Sequence, residues 1–163
     1  MESDAEKDWI ATLIAVQEGR PPVPLLDDAG IGDLLRSRPR IAIVGASPNP
    51  GRPVHGVMRT LLRAGYEVVL VNPAATVIDG MPCYPTLAEA VRQTGPIELV
   101  DVFRRSEDCA VHAREAVDVG ARCLWLQQGI ASAEAGRIAH EAGLSVVMDR
   151  CTAVEHRRLA AHA

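Results

Sequence analysis

The segment that most constrains this chain is IAIVGASPNPGRPVHGVMRTLLRAGYEVVLVNP, from Ile41 to Pro73. Ile41 to Val44 is a short apolar run of the kind buried on both faces of a sheet. Gly45-Ala46-Ser47 turns the chain, and the Pro-, Gly- and Asn-rich stretch to Arg52 reads as loop. Pro53 suits a first helical position. Val54, Val57, Met58, Leu61 and Leu62 then recur on one helical stripe, Gly65 stops it, and Glu67 to Val71 is a second β-branched run. Strand, crossover helix and strand make a right-handed parallel unit. Arg52 is a poor N-cap, so the helix is expected to leave its first N–H groups unpaired behind a small-residue loop. Such an end attracts anions, and the planar donors of Arg52 suit phosphate. Capping by water or by Asn49 is the ordinary alternative.

The rest of the chain repeats the pattern. Asp8 to Glu18 reads as a short amphipathic helix carrying Trp9, Ile10, Leu13 and Ile14; Pro21, Pro22 and Pro24 break the chain; Asp27 or Asp28 caps a second helix reaching Leu35. Ala74 to Pro85, punctuated by Gly80, Pro82 and Pro85, reads as loop. Thr86-Leu87-Ala88-Glu89 is a capping box opening a helix that stops near Gly95-Pro96. Ile97 to Phe103, Arg122 to Gln127 and Leu144 to Met148 read as three further strands. Ser106, Ser132 and Thr152 are read as caps of the intervening and final helices, the last as a capping box closed by Glu155. Alternating strands and helices predict an α/β fold, a Rossmann-like doubly wound parallel five-stranded sheet in the order 3-2-1-4-5. Residues 1–37 form an N-terminal helical extension and residues 38–163 the nucleotide-binding domain.

Ligands of such sheets sit at the carboxyl ends of the strands. The residues there are Gly45-Ala46-Ser47, Asn72-Pro73, Phe103-Arg104, Gln127 to Gly129, and Asp149-Arg150-Cys151. An NAD(P) site is disfavoured. The loop lacks GxGxxG, with Ser47 in place of the second glycine, and the second strand ends in Asn72 where an acid would meet the ribose hydroxyls. A net charge of -4 and 3% aromatic residues give no sign of a nucleic-acid partner. No apolar stretch approaches a membrane span, and the start MESDAEKDW carries no apolar signal region. The cysteines Cys83, Cys109, Cys123 and Cys151 form no CxxC, which fits reduced thiols and a cytoplasmic location. No metal-ligand spacing is present, and Cys151 with His156 lacks further ligands.

The set VGAS (Val44 to Ser47), Arg52, VNP (Val71 to Pro73), VDVFRR (Val100 to Arg105), WLQQG (Trp125 to Gly129) and MDRC..EHRRL (Met148 to Leu159) resembles the small stand-alone CoA-binding proteins. These are similar to the N-terminal CoA-binding domain of the succinyl-CoA synthetase alpha subunit. The resemblance covers residues 38 to 160. It implies a Rossmann-like fold that binds coenzyme A or an acyl-CoA. It implies no reaction: the synthetase's phosphorylated histidine lies in a ligase domain that would follow, and none of the five histidines here matches it. By resemblance, the loop Gly45, Ala46, Ser47 to Arg52 takes phosphate, Asn72 and Pro73 flank the nucleotide, and Phe103, Arg104 and Gln127 to Gly129 line the arm. His55, one turn into the phosphate helix, is a further candidate for phosphate. Cys151, after Arg150 and before a helix, is expected near the thiol end, where it could form a mixed disulfide with CoA. A buried small hydrophobe is its plain alternative. The expected role is a non-catalytic module: a carrier, a sensor, or the partner of a ligase on another chain. A homodimer is open, with the Arg-rich final helix as its contact. The alternatives are an NAD(P)-dependent oxidoreductase or epimerase with a degenerate site, and a thiol-redox protein acting through Cys151.

Overall fold

Each strand of the predicted parallel unit alternates its side chains between two apolar layers. The computed structural model of the chain describes residues 4–162. The acidic start of the leader at Met1, Glu2 and Ser3, and the last residue, lie outside the described residues. Strand β1 (Ile41–Val44) is followed by helix α3 (Pro53–Arg63) and β2 (Val68–Val71). The hairpin β3 (Val77–Ile78) and β4 (Met81–Tyr84) precedes α4 (Leu87–Thr94). Then come β5 (Leu99–Val102), α5 (Cys109–Asp118), β6 (Cys123–Leu126), α6 (Ala133–Glu141), β7 (Ser145–Val147) and α7 (Thr152–Ala161). Two leader helices, α1 (Asp4–Gln17) and α2 (Asp28–Arg36), stand in front.

On β1, Ala42 and Val44 face one layer with α4, α5 and α6. Ile41 and Ile43 face the other, with α2, α3 and α7. Both faces are dry: all four β1 residues are buried, as are those of β5 and β6. This is the environment that favours continuous apolar runs over alternation. The leader belongs to the same packing. Leu13 and Val16 of α1 rest on the first layer, and Ile31, Leu34 and Leu35 of α2 are buried in the second. Ile14, read as part of the α1 stripe, is exposed. Asp27 caps α2 by accepting from Gly30 N at 2.8 Å.

The class is α/β, but strand count and order differ from the expected five strands in the order 3-2-1-4-5. The sheet is seven-stranded and mixed, in the order β3-β4-β2-β1-β5-β6-β7. The stretch read as loop holds the missing hairpin. Asp79 (φ 50°) and Gly80 (φ 78°) form its two-residue turn, β3 pairs antiparallel with β4, and β4 pairs parallel with β2. The edge beside β2 is thereby filled, so the strand Leu99–Val102 crosses to the free edge of β1 instead. Counting parallel strands alone, β4-β2-β1-β5-β6-β7 is the dinucleotide-fold order 3-2-1-4-5-6, with its switch point between β1 and β5. The short runs and the imide of Pro82 hid β4; Asp-Gly between two apolar pairs was the readable signal.

Two caps also differ. Ser106 starts a 3-10 turn, Ser106–Asp108, and its hydroxyl accepts from Ala131 N at 3.2 Å rather than capping α5. Thr152 is the first residue of α7, not its cap; Cys151 holds the cap position without a side-chain bond. Glu155 is therefore not part of a capping box. It is buried between Arg158, at 3.1 Å, and Arg150, at 3.5 Å. Thr86 and Ser132 do cap α4 and α6, accepting from Glu89 N and Ala135 N.

The turn after β1 fixes the switch point. Gly45 has φ 92°, and a Cβ there would meet the carbonyl oxygen of Phe103 at 2.6 Å. Both the left-handed backbone and the contact exclude a side chain. Gly45→Ala is expected to cost about 2 kcal/mol or more, read as a lower urea midpoint with an unchanged m value.

Candidate functional site

Helix α3 begins without a cap. Arg52, its N-cap residue, makes no side-chain cap bond, and Pro53 follows in a first turn that holds no acidic residue of its own. In the loop before it, Asn49 Oδ1 accepts from Gly51 N at 2.9 Å and Ser47 Oγ accepts from Asn49 N at 3.1 Å. Asn49 thus organises the loop and leaves the helix end without a side-chain cap; Pro53 has no N–H and His55 N donates to Arg52 O at 3.1 Å, so what this end offers an anion is chiefly the α3 dipole.

What lies in front is a cavity of about 450 Å³ over the carboxyl ends of β1, β5 and β6. That size lies in the range of small-ligand sites. Gly45, Arg52, Pro53, Phe103, Arg104, Gln127 and Cys151 all line it. Val54, Val57 and Ile130 give it an apolar wall, and Arg105 and Gln128 complete the rim. Val54 and Val57 sit one turn apart on α3, which is why that helix can offer both an anion-seeking end and a greasy flank. Arg52 and Arg104 make no ion pair among the described residues, whereas Arg105 is held by Asp108 at 3.6 Å.

The other sequence candidates lie around the cavity, not in its wall. Ala46 is fully buried under the loop. Ser47 is engaged in the loop turn. The Asn72 side chain is committed locally: Nδ2 donates to Ala46 O at 2.7 Å, and Oδ1 accepts from Ala74 N at 2.9 Å. It ties the end of β2 to the loop after β1, and Pro73 beside it is exposed. His55 is buried and turned away, its Nε2 lying 2.7 Å from Asp79 Oδ2 in the β3–β4 turn. Gly129 (φ 83°) closes the loop after β6 and donates its N–H to Asp149 Oδ1 at 2.7 Å.

Behind Gln127, and out of the cavity's lining, lies a residue that sequence reasoning missed. Asp101, on β5, has no exposed surface. Its Oδ1 accepts from Gln127 Nε2 at 2.6 Å and its Oδ2 from Thr152 Oγ1 at 2.8 Å. Thr152 Oγ1 in turn accepts from Gln127 Nε2 at 2.9 Å. Burial raises the carboxyl from 3.8 to about 7, against the pull of the Gln127 and Thr152 hydrogen bonds. A charged residue inside a strand that is otherwise Leu, Val and Val was the available signal.

Cys151 is the one cysteine that is not buried, and it lines this cavity and a smaller polar one beside it. The cationic setting expected from Arg150 is offset, because that guanidinium is held by Asp28 at 2.6 Å and faces Glu155. Burial pushes the Cys109 and Cys123 thiols up to about 12 and raises Cys83 as well. Among the described residues no group of His, Cys, Asp and Glu could hold a metal ion, and no helix is long and apolar enough to cross a membrane.

Similar proteins share this fold. The family described as CoA binding domain matches residues 39–157. The chain belongs to the CoA-binding domain family. It is 39% identical over 128 residues to the uncharacterized protein YneT of Bacillus subtilis (strain 168), covering 78% of this chain and 93% of that protein. The structure of a hypothetical protein from Pyrococcus horikoshii OT3 superposes with a TM-score of 0.78 at 38% identity, over 83% of this chain and 93% of that one. An acetyl-coenzyme A synthetase of Ca. Korarchaeum cryptofilum shares the fold at 24% identity and a TM-score of 0.57, over 66% of this chain and 25% of that one. The sheet and helices that carry the cavity are thus those of a CoA-binding domain.

Two outcomes follow from the burial pattern. A thiol reagent applied to the native protein should add once, at Cys151, and to the other three cysteines only after unfolding; peptide mapping by mass spectrometry checks this. Asp101 binds its proton more tightly folded than unfolded. Its contribution to stability is therefore full below about pH 4 and is lost as the pH rises through about 7. Wild-type stability should fall across that window, by at most about 1.4 kcal/mol per pH unit from this group, relative to Asp101→Asn.

Proposed function

We propose that this chain is a cytoplasmic CoA- or acyl-CoA-binding module without a catalytic step of its own, acting as a carrier, a sensor or the partner of a ligase on another chain. The observation that carries the reading is one continuous path: the uncapped end of α3 with unpaired Arg52, then the cavity, then the thiol of Cys151. That sequence matches the order of groups in CoA, from pyrophosphate through an arm to sulfur. Membership of the CoA-binding family supports it. The α3 end and Arg52 would hold the pyrophosphate, and Arg104 a further phosphate or the arm. Phe103, Val54, Val57 and Ile130 would cover the arm. Asn72 would act through the loop it ties down, and residues 1–37 as an extension packed on the domain formed by residues 38–163. The NAD(P) alternative needs an acceptor for ribose hydroxyls at the end of β2, and the Asn72 side chain is already spent on Ala46 and Ala74.

Cys151 favours a second, compatible reading. Its thiolate would attack the sulfur–sulfur bond of CoA disulfide, forming a Cys151–CoA mixed disulfide and releasing one CoA thiolate.

Calorimetric titration with CoA, acetyl-CoA, NAD and NADP tests the first reading. CoA or acetyl-CoA should bind and the dinucleotides should not. Arg52→Ala should weaken CoA about 10-fold and reduce the salt dependence of binding, as expected for the loss of one charge-assisted phosphate contact. Binding of NAD or NADP without a response to CoA would replace the module with a dinucleotide enzyme.

A further inference from the structure

The amide of Gln127 is pinned more tightly than a structural role needs. The residue ends β6 and is 4% exposed, yet it lines the cavity. An amide nitrogen has two hydrogens to give. One goes to Asp101 Oδ1 at 2.6 Å and the other to Thr152 Oγ1 at 2.9 Å, and both partners are fully buried. The amide is therefore fixed in one of its two orientations. Its carbonyl oxygen has no hydrogen-bond partner among the described residues. No buried side-chain oxygen or nitrogen is left unpaired among them, so that oxygen keeps accessible surface, and the cavity is lined by this residue. With the Asp101 carboxyl ionised, a swapped amide would put the oxygen against a carboxylate oxygen, where two acceptors repel.

We propose that Gln127 is a specificity residue whose carbonyl oxygen accepts a hydrogen bond from an amide N–H of the ligand's pantetheine-type arm, with Asp101 and Thr152 as the positioning residues that aim it. This rests on the CoA reading above and names which part of that ligand the floor recognises. The charged side chains of the wall are arginines, which donate only. They serve phosphate and carbonyl oxygens and cannot serve an N–H. The arm of CoA carries two amide N–H groups, and burying either against an apolar wall without an acceptor is costly. A ligand that lacks the arm has no use for Gln127. The device therefore separates arm-bearing ligands from bare nucleotides inside a site whose phosphate contacts would accept both.

The test compares CoA with adenosine 3′,5′-bisphosphate, which has the nucleotide phosphates and no arm, by calorimetry on the full chain. Gln127→Met should weaken CoA about 10-fold and change the bisphosphate less than about 2-fold. Thr152→Val, which removes one of the two acceptors that hold the amide, should weaken CoA about 3- to 10-fold with the same sparing of the bisphosphate, and Thr152→Ser should restore CoA binding. Equal losses for both ligands would make the three residues merely structural and overturn the inference, as would variants that bind CoA like the wild type. A wild-type protein that binds no CoA would instead overturn the reading beneath it. Should either variant fail to fold, the wild-type crystal structure with CoA decides. An arm nitrogen within about 3.2 Å of Gln127 Oε1 upholds the inference, and an arm bonded only to other acceptors ends it.

Discussion

A backbone carbonyl, that of Phe103, lies where a side chain on Gly45 would begin. This contact decides most of what the site can be. The two strands are joined in register up to Val44 and Val102. Phe103 N donates to Val44 O at 2.8 Å, and Gly45 N donates to Val71 O at 2.9 Å, so β5, β1 and β2 are locked together at their ends. Only a residue without Cβ can then turn the chain over the top of β5. The turn sends the loop back to the start of α3, whose uncapped end stands beside the switch point. The cavity is the space between that helix end and the ends of β5 and β6.

The floor of the cavity is held at a cost. Asp101 is a carboxyl with no exposed surface inside a parallel sheet, bonded to an amide and a hydroxyl but to no cation. An apolar residue there would stabilise the sheet more simply. The cluster draws together three elements, β5, β6 and the first residue of α7, at the point where a ligand would rest. A buried polar network that is fully satisfied gives rigidity rather than net stability. Here the rigidity falls on Gln127, the one member that reaches the cavity.

The sequence disclosed what local physics decides. The strand–loop–helix–strand unit, the uncapped α3 and the Asp27, Thr86 and Ser132 caps depend on neighbours a few residues away, and all could be read. Ser106 and Thr152 could not, because their hydroxyls found partners 25 and 51 residues distant, Ala131 and Asp101. A hydroxyl before an apolar run fits a cap or a tertiary bond equally well. The same holds for the site. Gly45, Phe103, Arg104, Gln127 and Cys151 follow from strand ends and Arg52 from the poor cap of α3, and all line one cavity. His55 and Asn72 lie in the right stretch, but their side chains are used by Asp79 and Ala46, residues of a hairpin turn missed as loop and of a loop whose course was not legible. The Asp101–Gln127–Thr152 cluster joins three separate segments, and its one local sign is a charge inside an apolar strand.

The central claim is that one surface, from the end of α3 to Cys151, selects CoA over other adenine nucleotides. Native mass spectrometry of the full chain mixed with equal amounts of CoA, NAD and NADP tests it directly. The account predicts one adduct per chain at the mass of CoA. An adduct of NAD or NADP, or three ligands bound to similar extents, would contradict it.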